Sequence, residues 1–294
     1  MQRTQIKDAL KKSGKVLVRG WVHDLRDLSK IRFIILKDTS ARIQITGIKG
    51  KTPEKTFKFF NSLTRESVIE VIGQLKPSKQ APGGKEILPE KIEIIAKAEQ
   101  PLPIDVGDFS KTELPKRLDN RFLDLHRKKT QAIFKIQSVI STAFREHFIK
   151  KGFIEFQPPS IISAASEGGT DLFSVKYFEK SAYLAQSPQL YKQMVACSME
   201  KAMTIAPVWR AEKHNTTRHL NESRQMDIEL AFADQTEAMK HLEQCVQDIV
   251  KQVIEKSKPE LETLKITLKI PKAKYLSYDE TAKLLKIKYG HDLS

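Results

Sequence analysis

The spacing of apolar residues changes once along this chain, and the change divides it into two kinds of structure. Over residues 1–98, apolar and polar residues alternate in short runs, as they do at Val16, Val18 and Val22. An alternation of period two is typical of half-buried strands. From Thr130 to Lys150 the period becomes about 3.6, which is that of an amphipathic helix. A β-rich region followed by a region of mixed helices and strands is therefore predicted.

The N-terminal region has the element order of an OB-fold barrel. Its strand candidates are residues 16–25, 31–36, 42–48, 68–75 and 86–95. A short helix at 53–63 falls between the third and fourth strands, and Gly83-Gly84 marks a hairpin between the last two. Five strands with a helix in that position are the pattern of an OB-fold, a common binder of single-stranded nucleic acid.

The remaining region is predicted to be α+β. One helical stripe comprises Ile133, Ile136, Ile140, Ala143, Phe144 and Phe148, with Gly152 as its C-cap. Further strands are expected at 153–156, 172–178, 182–184, 202–212 and 226–233, and further helices at 187–200, 236–256 and 278–285. Strands that are adjacent in sequence favour an antiparallel sheet flanked by helices. The predicted domains are an OB-fold at 1–98, a proline-containing linker at 99–126 and a second domain at 127–294.

The amino-acid composition limits the kinds of partner that this chain is expected to bind. The chain has 51 basic and 36 acidic residues, a net charge of +15, and such a surplus favours a polyanionic partner. Solvated lysines with no partner are the alternative. Cys197 and Cys245 are far apart with no Cys/His cluster, so neither a disulfide framework nor a zinc site is expected. Without a signal sequence or a long apolar run, a cytoplasmic protein that does not enter membranes is predicted.

Residues 209–230 carry the most distinctive chemistry. The chain has no Gly-rich phosphate loop, so a nucleotide would have to be held by side chains. Arg210 and Glu212 alternate on a predicted strand and should share a face, where arginine can fork onto a phosphate or a carboxylate. The loop after them could reach distal phosphates through Lys213, His214, Arg218 and His219. The alternative is a solvated hairpin with incidental charge.

Four ordered segments identify a family. Residues 210–222, RAEKHNTTRHLNE, closely resemble motif 2 of aspartyl-tRNA synthetases of the archaeal and eukaryotic kind. Residues 153–159 resemble motif 1, which builds the dimer interface in that family and places its proline at Pro159. Residues 166–170 resemble the mobile loop that closes over the amino acid. Residues 186–193 resemble the segment that lines the amino-acid pocket. The chain thus resembles a class II synthetase of the aspartate type, and a homodimer is expected.

The resemblance implies a role for each site residue. Arg210 would hold the α-phosphate of ATP and the substrate carboxylate, stabilising charge as the adenylate forms. The other ATP contacts would come from Glu212, Arg218, His219 and Leu220. The other aspartate contacts would come from Glu167, Gln189 and Lys192. Mg²⁺-assisted attack of aspartate on ATP would give aspartyl-AMP, from which the tRNA accepts the aspartyl group.

Lys192 favours aspartate over asparagine as the amino acid. A buried carboxylate needs a cation, since burying an unpaired charge is very costly. Asparaginyl enzymes of this class tend to carry an apolar residue at that position. For the residue itself, the alternative is a surface lysine on a helix. For the protein, the closest alternative is an asparaginyl-tRNA synthetase.

Four residues of the barrel fall where relatives contact the anticodon. Phe33 and Gln44 occupy positions that stack on and hydrogen-bond anticodon bases, although core packing could also explain Phe33. His23 and Pro82 resemble the non-discriminating form, which charges both tRNA(Asp) and tRNA(Asn). The discriminating archaeal form tends to place Trp and Lys there. An aspartate–tRNA ligase acting on tRNA(Asp), and also on tRNA(Asn), is therefore expected.

The chain departs from the family pattern after Ser223, a position where many class II relatives place a Phe that stacks on adenine. Nothing beyond it resembles motif 3 or the acidic ligands of Mg²⁺. The expectation is a chain that lacks its C-terminal part, contains no metal site and is inactive by itself. A non-catalytic tRNA-binding derivative of a synthetase, or a generic OB-fold single-strand binder, remains as an alternative.

Overall fold

A computed structural model describes residues 1–107, 111–164, 172–214, 216 and 219–291. The chain forms two compact units, Met1–Asp124 and Leu125–Ser294. The first unit holds a β-barrel and the second holds sheets covered by helices.

The first unit contains a closed five-stranded barrel with strand order β1-β2-β3-β5-β4. Its strands are β1 Gly14–Asp27, β2 Ile31–Lys37, β3 Arg42–Ile48, β4 Val68–Pro77 and β5 Lys85–Ala96. Two short helices accompany them, α1 at Ile6–Ala9 and α2 at Glu54–Phe59. A 3₁₀ turn at Pro82–Gly84 joins the last two strands. The predicted OB-fold is confirmed.

Inward-facing aliphatic residues from every strand fill the barrel. Val18, Ile34, Ile45, Val71 and Ile87 are each fully buried, and burial of one such side chain contributes roughly 1.5–3 kcal/mol. The strands approach closely where glycine replaces a side chain. A Cβ at position 20 would lie 2.2 Å from the carbonyl oxygen of Lys37, so only glycine fits there.

The segment after the barrel has a small core of its own. Ile104, Val106 and Leu123 are buried together. Two helices follow in this segment, α3 at Leu114–Asp119 and α4 at Arg121–Asp124. The buried carboxylate of Asp124 accepts hydrogen bonds from Arg117 Nε over 2.6 Å and Arg121 Nη1 over 2.7 Å. The described residues of the predicted spacer up to Asp124 are therefore part of the first unit and include packed side chains.

The second unit has two three-stranded sheets, of orders β11-β10-β6 and β7-β9-β8. Its strands are β6 Ile154–Glu155, β7 Ile161–Ile162, β8 Ser174–Tyr177, β9 Lys180–Leu184, β10 Lys201–Trp209 and β11 Glu222–Leu230. Its helices are α5 Lys128–Ile149, α6 Gln189–Met199, α7 Gln235–Lys256, α8 Lys258–Leu264 and α9 Tyr278–Tyr289. Among the described strand pairs of this second unit, β6–β10 is parallel and the others are antiparallel. The predicted α+β class is confirmed.

One face of the β10–β11 pair packs against α5 and α7. Met203 lies in a cluster with Phe148, Phe153 and Cys245, and the rings of Phe148 and Phe153 are 4.8 Å apart in an edge-on arrangement. The predicted helical stripe is wrong at Ile133, which is 53% exposed. At that end of α5 the smaller Thr130 and Ala132 are buried instead, so the inward face is rotated from the predicted one.

Candidate functional site

The face of the β10–β11 pair that points away from α5 and α7 carries two carboxylates. Asp227 pairs with Thr204, and Glu229 pairs with Ala202. Alternate residues of a strand point to opposite faces, and Met203 belongs to the apolar face. The two acids therefore lie on the same side of the sheet, opposite the helix-covered core.

Helix α6 brings Lys192 and Gln189 to these acids. Lys192 Nζ lies 3.4 Å from Asp227 Oδ2 and 3.6 Å from Glu229 Oε2, and its side chain is only 12% exposed. Gln189 Nε2 donates to Glu229 Oε2 over 3.4 Å. Residues three apart share a face of a helix, which is why both reach the sheet. The structure thus brings two of the predicted amino-acid-binding residues together.

A buried polar turn sets the start of α6. Gln186 and Ser187 are almost completely buried. Ser187 Oγ accepts a hydrogen bond from the backbone N–H of Gln189 over 3.2 Å. The N–H of Lys192 donates to the carbonyl oxygen of Pro188 over 3.0 Å. These bonds fix the first turn of the helix and with it the direction in which Lys192 extends.

Arg210 and Glu212 lie beyond the end of β10. The strand ends at Trp209, and the N–H of Glu212 donates to the carbonyl oxygen of Arg210 over 2.8 Å. A bond from residue i+2 back to residue i turns the chain. The prediction that both residues alternate on a strand is therefore wrong. Pairing with the returning segment still holds Arg210, whose N–H donates to the carbonyl oxygen of Asn221 over 3.0 Å.

The loop after Glu212 is exposed where it is described. Thr216 Oγ1 and His219 Nδ1 are hydrogen-bonded at 2.6 Å, and the rings of His214 and His219 lie 5.3 Å apart. Leu220 is 68% exposed. The predicted ATP contact Arg218 lies outside the described residues. The predicted aspartate contact Glu167 does so too.

Asp227 and Glu229 were not predicted as site residues. In the sequence they read as polar positions of a strand. The only local indication is their alternation with the apolar Ile228, which places two acids on one face. Their contacts with Lys192 depend on how α6 packs on the sheet, and no local pattern contains that information.

The predicted anticodon residues Phe33 and Gln44 share the outer face of the barrel. Phe33 is half-buried and faces outward, because its neighbour Ile34 points into the core. Its register partner is Thr46, while Gln44 pairs with Ile35. Gln44 is therefore the diagonal neighbour of Phe33 on the same face. Its Nε2 donates to Glu86 Oε2 over 2.9 Å and to Thr46 Oγ1 over 3.1 Å.

His23 and Pro82 lie at irregular points of the barrel. The β1–β2 register shifts between Val22 and Asp24, so His23 is the extra residue of a β-bulge, a feature that re-aims side chains. Pro82 is exposed at the start of the 3₁₀ turn between β4 and β5. Pro159, the predicted dimer-interface residue, is exposed in the second unit.

The described part of the chain lacks two features. No helix there combines the length and the hydropathy needed to cross a membrane. Nor do three or more His, Cys, Asp or Glu side chains gather there in a way that could hold a metal ion.

Two protein families match the chain. Residues 113–292 match the family described as tRNA synthetases class II (D, K and N). Residues 16–95 match the family described as OB-fold nucleic acid binding domain. Together these matches cover both units.

Curated relatives are similar over nearly the whole chain. It is 44% identical to an aspartate–tRNA(Asp/Asn) ligase of Archaeoglobus fulgidus, with 95% of this chain and 67% of the relative covered. It is 45% identical to an aspartate–tRNA(Asp) ligase of Pyrococcus abyssi, with 95% and 66% covered. The chain thus spans about two thirds of the length of the curated relatives it matches.

Solved structures share the fold. An asparaginyl-tRNA synthetase from Pyrococcus horikoshii, complexed with asparaginyl-adenylate, superposes with a TM-score of 0.92 at 33% identity. That superposition covers 100% of this chain and 70% of the other. An aspartyl-tRNA synthetase from Leishmania major, described as putative, superposes with a TM-score of 0.80 at 29% identity and covers 90% of this chain and 54% of the other.

Proposed function

Since this chain belongs to the class II tRNA synthetases, and among them to the aspartate–tRNA ligases, we propose a function for the full-length protein. It activates L-aspartate with ATP and transfers the aspartyl group to tRNA(Asp). The observation that carries this proposal is the position of Lys192, which is largely buried between Asp227 and Glu229.

The charges around Lys192 complement a dicarboxylic amino acid. Aspartate has two carboxylates and one ammonium group. Lys192 supplies a cation for the side-chain carboxylate, and Arg210 supplies one for the α-carboxylate at the start of the loop. Asp227 and Glu229 hold the ammonium group of Lys192 in position through their ion pairs with it. A neutral amide such as that of asparagine would gain less than a carboxylate from the positive charge of Lys192.

The residues of the 210–222 segment would hold ATP. Arg210 would stabilise the charge on the α-phosphate as the adenylate forms, while Glu212, His219 and Leu220 would contact the rest of the nucleotide. Arg218 would reach the terminal phosphate, and Glu167 would meet the aspartate ammonium group.

The described carboxylates Asp227 and Glu229 do not form a binding site for the Mg²⁺ that accompanies ATP in this family. Lys192 Nζ lies within 3.6 Å of both Asp227 and Glu229, and a cation there disfavours a second one on the same oxygens. Protein ligands for Mg²⁺ would then come from the third of the family's length that this chain does not span.

The barrel would read the anticodon. Phe33 offers a stacking surface next to the polar side chain of Gln44, an arrangement suited to a splayed RNA base. We propose the relaxed specificity for tRNA(Asp) and tRNA(Asn), on the basis of His23 and Pro82. Sequence identity does not choose between the two forms, because relaxed and strict relatives are equally similar, at 44% and 45%. We further propose a cytoplasmic homodimer with Pro159 at its interface.

Aspartate-dependent exchange of pyrophosphate into ATP by the full-length protein tests the amino acid. We expect exchange with aspartate and little with asparagine. Lys192→Met should reduce kcat/KM for aspartate by at least about a hundredfold, since a buried carboxylate loses its cation. The matched control is Lys201→Met, a lysine at the start of β10 outside the pocket, which should stay within about twofold of wild type.

Other outcomes would point elsewhere. Preferential exchange with asparagine would replace the proposal with an asparaginyl enzyme. No exchange with either amino acid, together with retained tRNA binding, would favour a non-catalytic derivative. The 294-residue chain by itself should not form the adenylate, because no segment of it resembles motif 3.

A further inference from the structure

A loop at one end of the barrel has a hydrogen-bonded backbone and carries two exposed lysines, Lys49 and Lys51. The loop connects β3 to α2, and its backbone is held by bonds from the N–H groups of Lys51 and Thr52 to the carbonyl oxygen of Ile48, over 3.1 and 2.8 Å. Thr52 Oγ1 accepts from the N–H of Ile48 over 2.9 Å. Lys49 donates its N–H to the carbonyl oxygen of Lys30 over 2.9 Å. The backbone is thus fixed while both lysine side chains remain exposed.

A fixed arginine forms the base of the cleft beside this loop. Arg32 Nη1 donates to the carbonyl oxygen of Phe57 over 3.0 Å, and the guanidinium stacks 4.4 Å from the centre of the Phe57 ring. Asp27 lies 3.0 Å from its Nε. Asp27 offsets part of the charge of this guanidinium, but its remaining N–H groups are held in place and would lose little side-chain entropy on binding an oxyanion.

The cleft has more positive than negative charge. It measures about 740 Å³, and its charged lining residues are Arg32, Lys49, Lys51, Glu54 and Lys58. Glu54 pairs with Lys58 over 2.6 Å, but both side chains are more than 70% exposed, so this pair is weak. In the part of the barrel that the structure describes, neither Lys49 nor Lys51 has an acidic side chain within ion-pair distance.

The cleft lies at one end of the β2–β3 pair, the same pair that carries Phe33 on its outer face. Ile31, two residues before Phe33, pairs with Ile48, and Lys49 follows directly. With a rise of about 3.3 Å per residue, Lys49 lies roughly 10 Å along the strands from the position opposite Phe33. An RNA strand with one base on Phe33 would carry its adjoining phosphates to this cleft.

We propose that Arg32, Lys49 and Lys51 form a phosphate-binding subsite that holds the RNA backbone beside the nucleotide stacked on Phe33. This inference rests on the proposed function, which makes the RNA a tRNA bound through the barrel. Base contacts select the sequence, whereas phosphate contacts set the position of the strand and make affinity depend on salt. The subsite therefore contributes affinity and register but no base preference.

The test is fluorescence anisotropy of a labelled anticodon stem–loop RNA titrated with the 294-residue chain at several NaCl concentrations. Lys49→Gln/Lys51→Gln should weaken binding about tenfold near 0.1 M salt. Its plot of log K against log salt should be less steep by roughly 1.5, since each phosphate contact contributes about 0.7 to 0.9 to the slope. The charge-preserving Lys49→Arg/Lys51→Arg should keep the wild-type slope.

A matched pair of exposed lysines controls for net charge. Lys7 and Lys11 lie at the opposite end of the β2–β3 hairpin, where the N–H groups of Ile6 and Lys7 donate to Asp38 and Ser40 in the turn, over 2.9 and 3.0 Å. Lys7→Gln/Lys11→Gln should change affinity by less than about twofold and leave the slope unchanged. Equal losses in the two double variants would overturn the subsite, because charge would then act diffusely.

Phe33→Ala separates this inference from the proposed function. If it weakens binding while Lys49→Gln/Lys51→Gln behaves like wild type, anticodon binding stands and the subsite is wrong. If the lysine variant alone weakens binding, the subsite stands and anticodon reading through Phe33 is wrong. A wild-type chain that does not bind the stem–loop would contradict both.

Discussion

Arg65 holds the β-bulge at His23, because its Nε donates a hydrogen bond to the His23 carbonyl oxygen over 3.3 Å. The same guanidinium reaches Asp105 Oδ1 in the segment after the barrel, over 3.1 Å. Gln100 Nε2 from that segment donates back to the carbonyl oxygen of Arg65 over 3.0 Å. The bulge that we propose to face the anticodon is thus tied through its backbone to the polypeptide leaving the barrel.

Replacing Arg65 with methionine removes both bonds but keeps most of the aliphatic stem. We expect the free energy of unfolding to fall by about 1–2 kcal/mol, the contribution of one or two hydrogen bonds with a charged donor. Urea denaturation of the 294-residue chain measures it. Arg19→Met is the control, because Arg19 pairs with Glu70 over 2.6 Å with its side chain 52% exposed, and should cost less than about 1 kcal/mol. Equal losses would show that the bulge contact adds nothing.

Lys37 and Glu66 form a buried ion pair in the barrel, with 2.6 Å between Nζ and Oε1 and side chains only 9% and 3% exposed. Burial lowers the pKa of Lys37, although Glu66 opposes that shift. Lys37→Met should destabilise the chain by roughly 3–5 kcal/mol, because removing one partner of a buried ion pair is strongly destabilising. Lys37→Met/Glu66→Gln should be more stable than Lys37→Met in urea denaturation. A double variant less stable than the single would contradict this account.

His241 should make the second unit sensitive to acid. Burial, followed by the charge of Lys151, lowers the pKa of this imidazole below its ordinary value of 6.5. Its ring packs edge-on against Phe153, 5.5 Å away. Because the unfolded chain takes up the proton more readily, the stability from neutral His241 is full above about pH 6.5 and declines as the pH falls below it.

His241→Phe should therefore lose less thermal stability than wild type between about pH 7.5 and about pH 5. The measurement is the melting temperature at each pH. The exposed His291 provides the control, since His291→Gln should retain the wild-type pH dependence. If His241→Phe and wild type lose the same number of degrees, another group causes the acid sensitivity.

The two cysteines should differ sharply in reactivity. Cys245 is buried, and burial raises the pKa of its thiol to about 11, whereas Cys197 is exposed on α6. The thiolate is the reactive form, so a thiol reagent at about pH 8 should modify one cysteine quickly in the native chain. Mass spectrometry should locate that modification at Cys197, and Cys197→Ala should show no fast phase. Rapid modification of Cys245 in that variant would contradict the packing described for α7.

Alternation of apolar residues was sufficient to predict the barrel, because inward positions such as Val18 and Ile34 must be buried whatever the partner strand. The end of β10 could not be predicted in the same way. Alternation continued through Arg210 and Glu212, but a strand ends where its pairing ends, and pairing is set by a distant segment. The prediction that Ile133 lies on the buried face of α5 was also wrong, because the packing of neighbouring helices decides which side chains are covered.

The candidate amino-acid pocket was predicted in part. Gln189 and Lys192 were assigned by resemblance, and their spacing on one helix face agrees with their joint contact with the sheet. Asp227 and Glu229 reach the pocket only because of the register of β11 with β10 and the packing of α6 on the sheet. Their contacts with Lys192 join residues 35 and more positions apart, which no local pattern records.

The hydrogen bonds of the Gln44 amide leave it able to act only as an acceptor toward a ligand. Both hydrogens of its amide are committed, one to Thr46 Oγ1 and the other to Glu86 Oε2, so only its carbonyl oxygen is left to face a ligand. A base beside it must then offer an N–H. Uracil and guanine do so from the ring nitrogen of their Watson–Crick edge, whereas cytosine and adenine present a lone pair there. Because Glu86 fixes the orientation of this amide, the barrel would accept the ring N–H of uracil and disfavour the ring lone pair of cytosine.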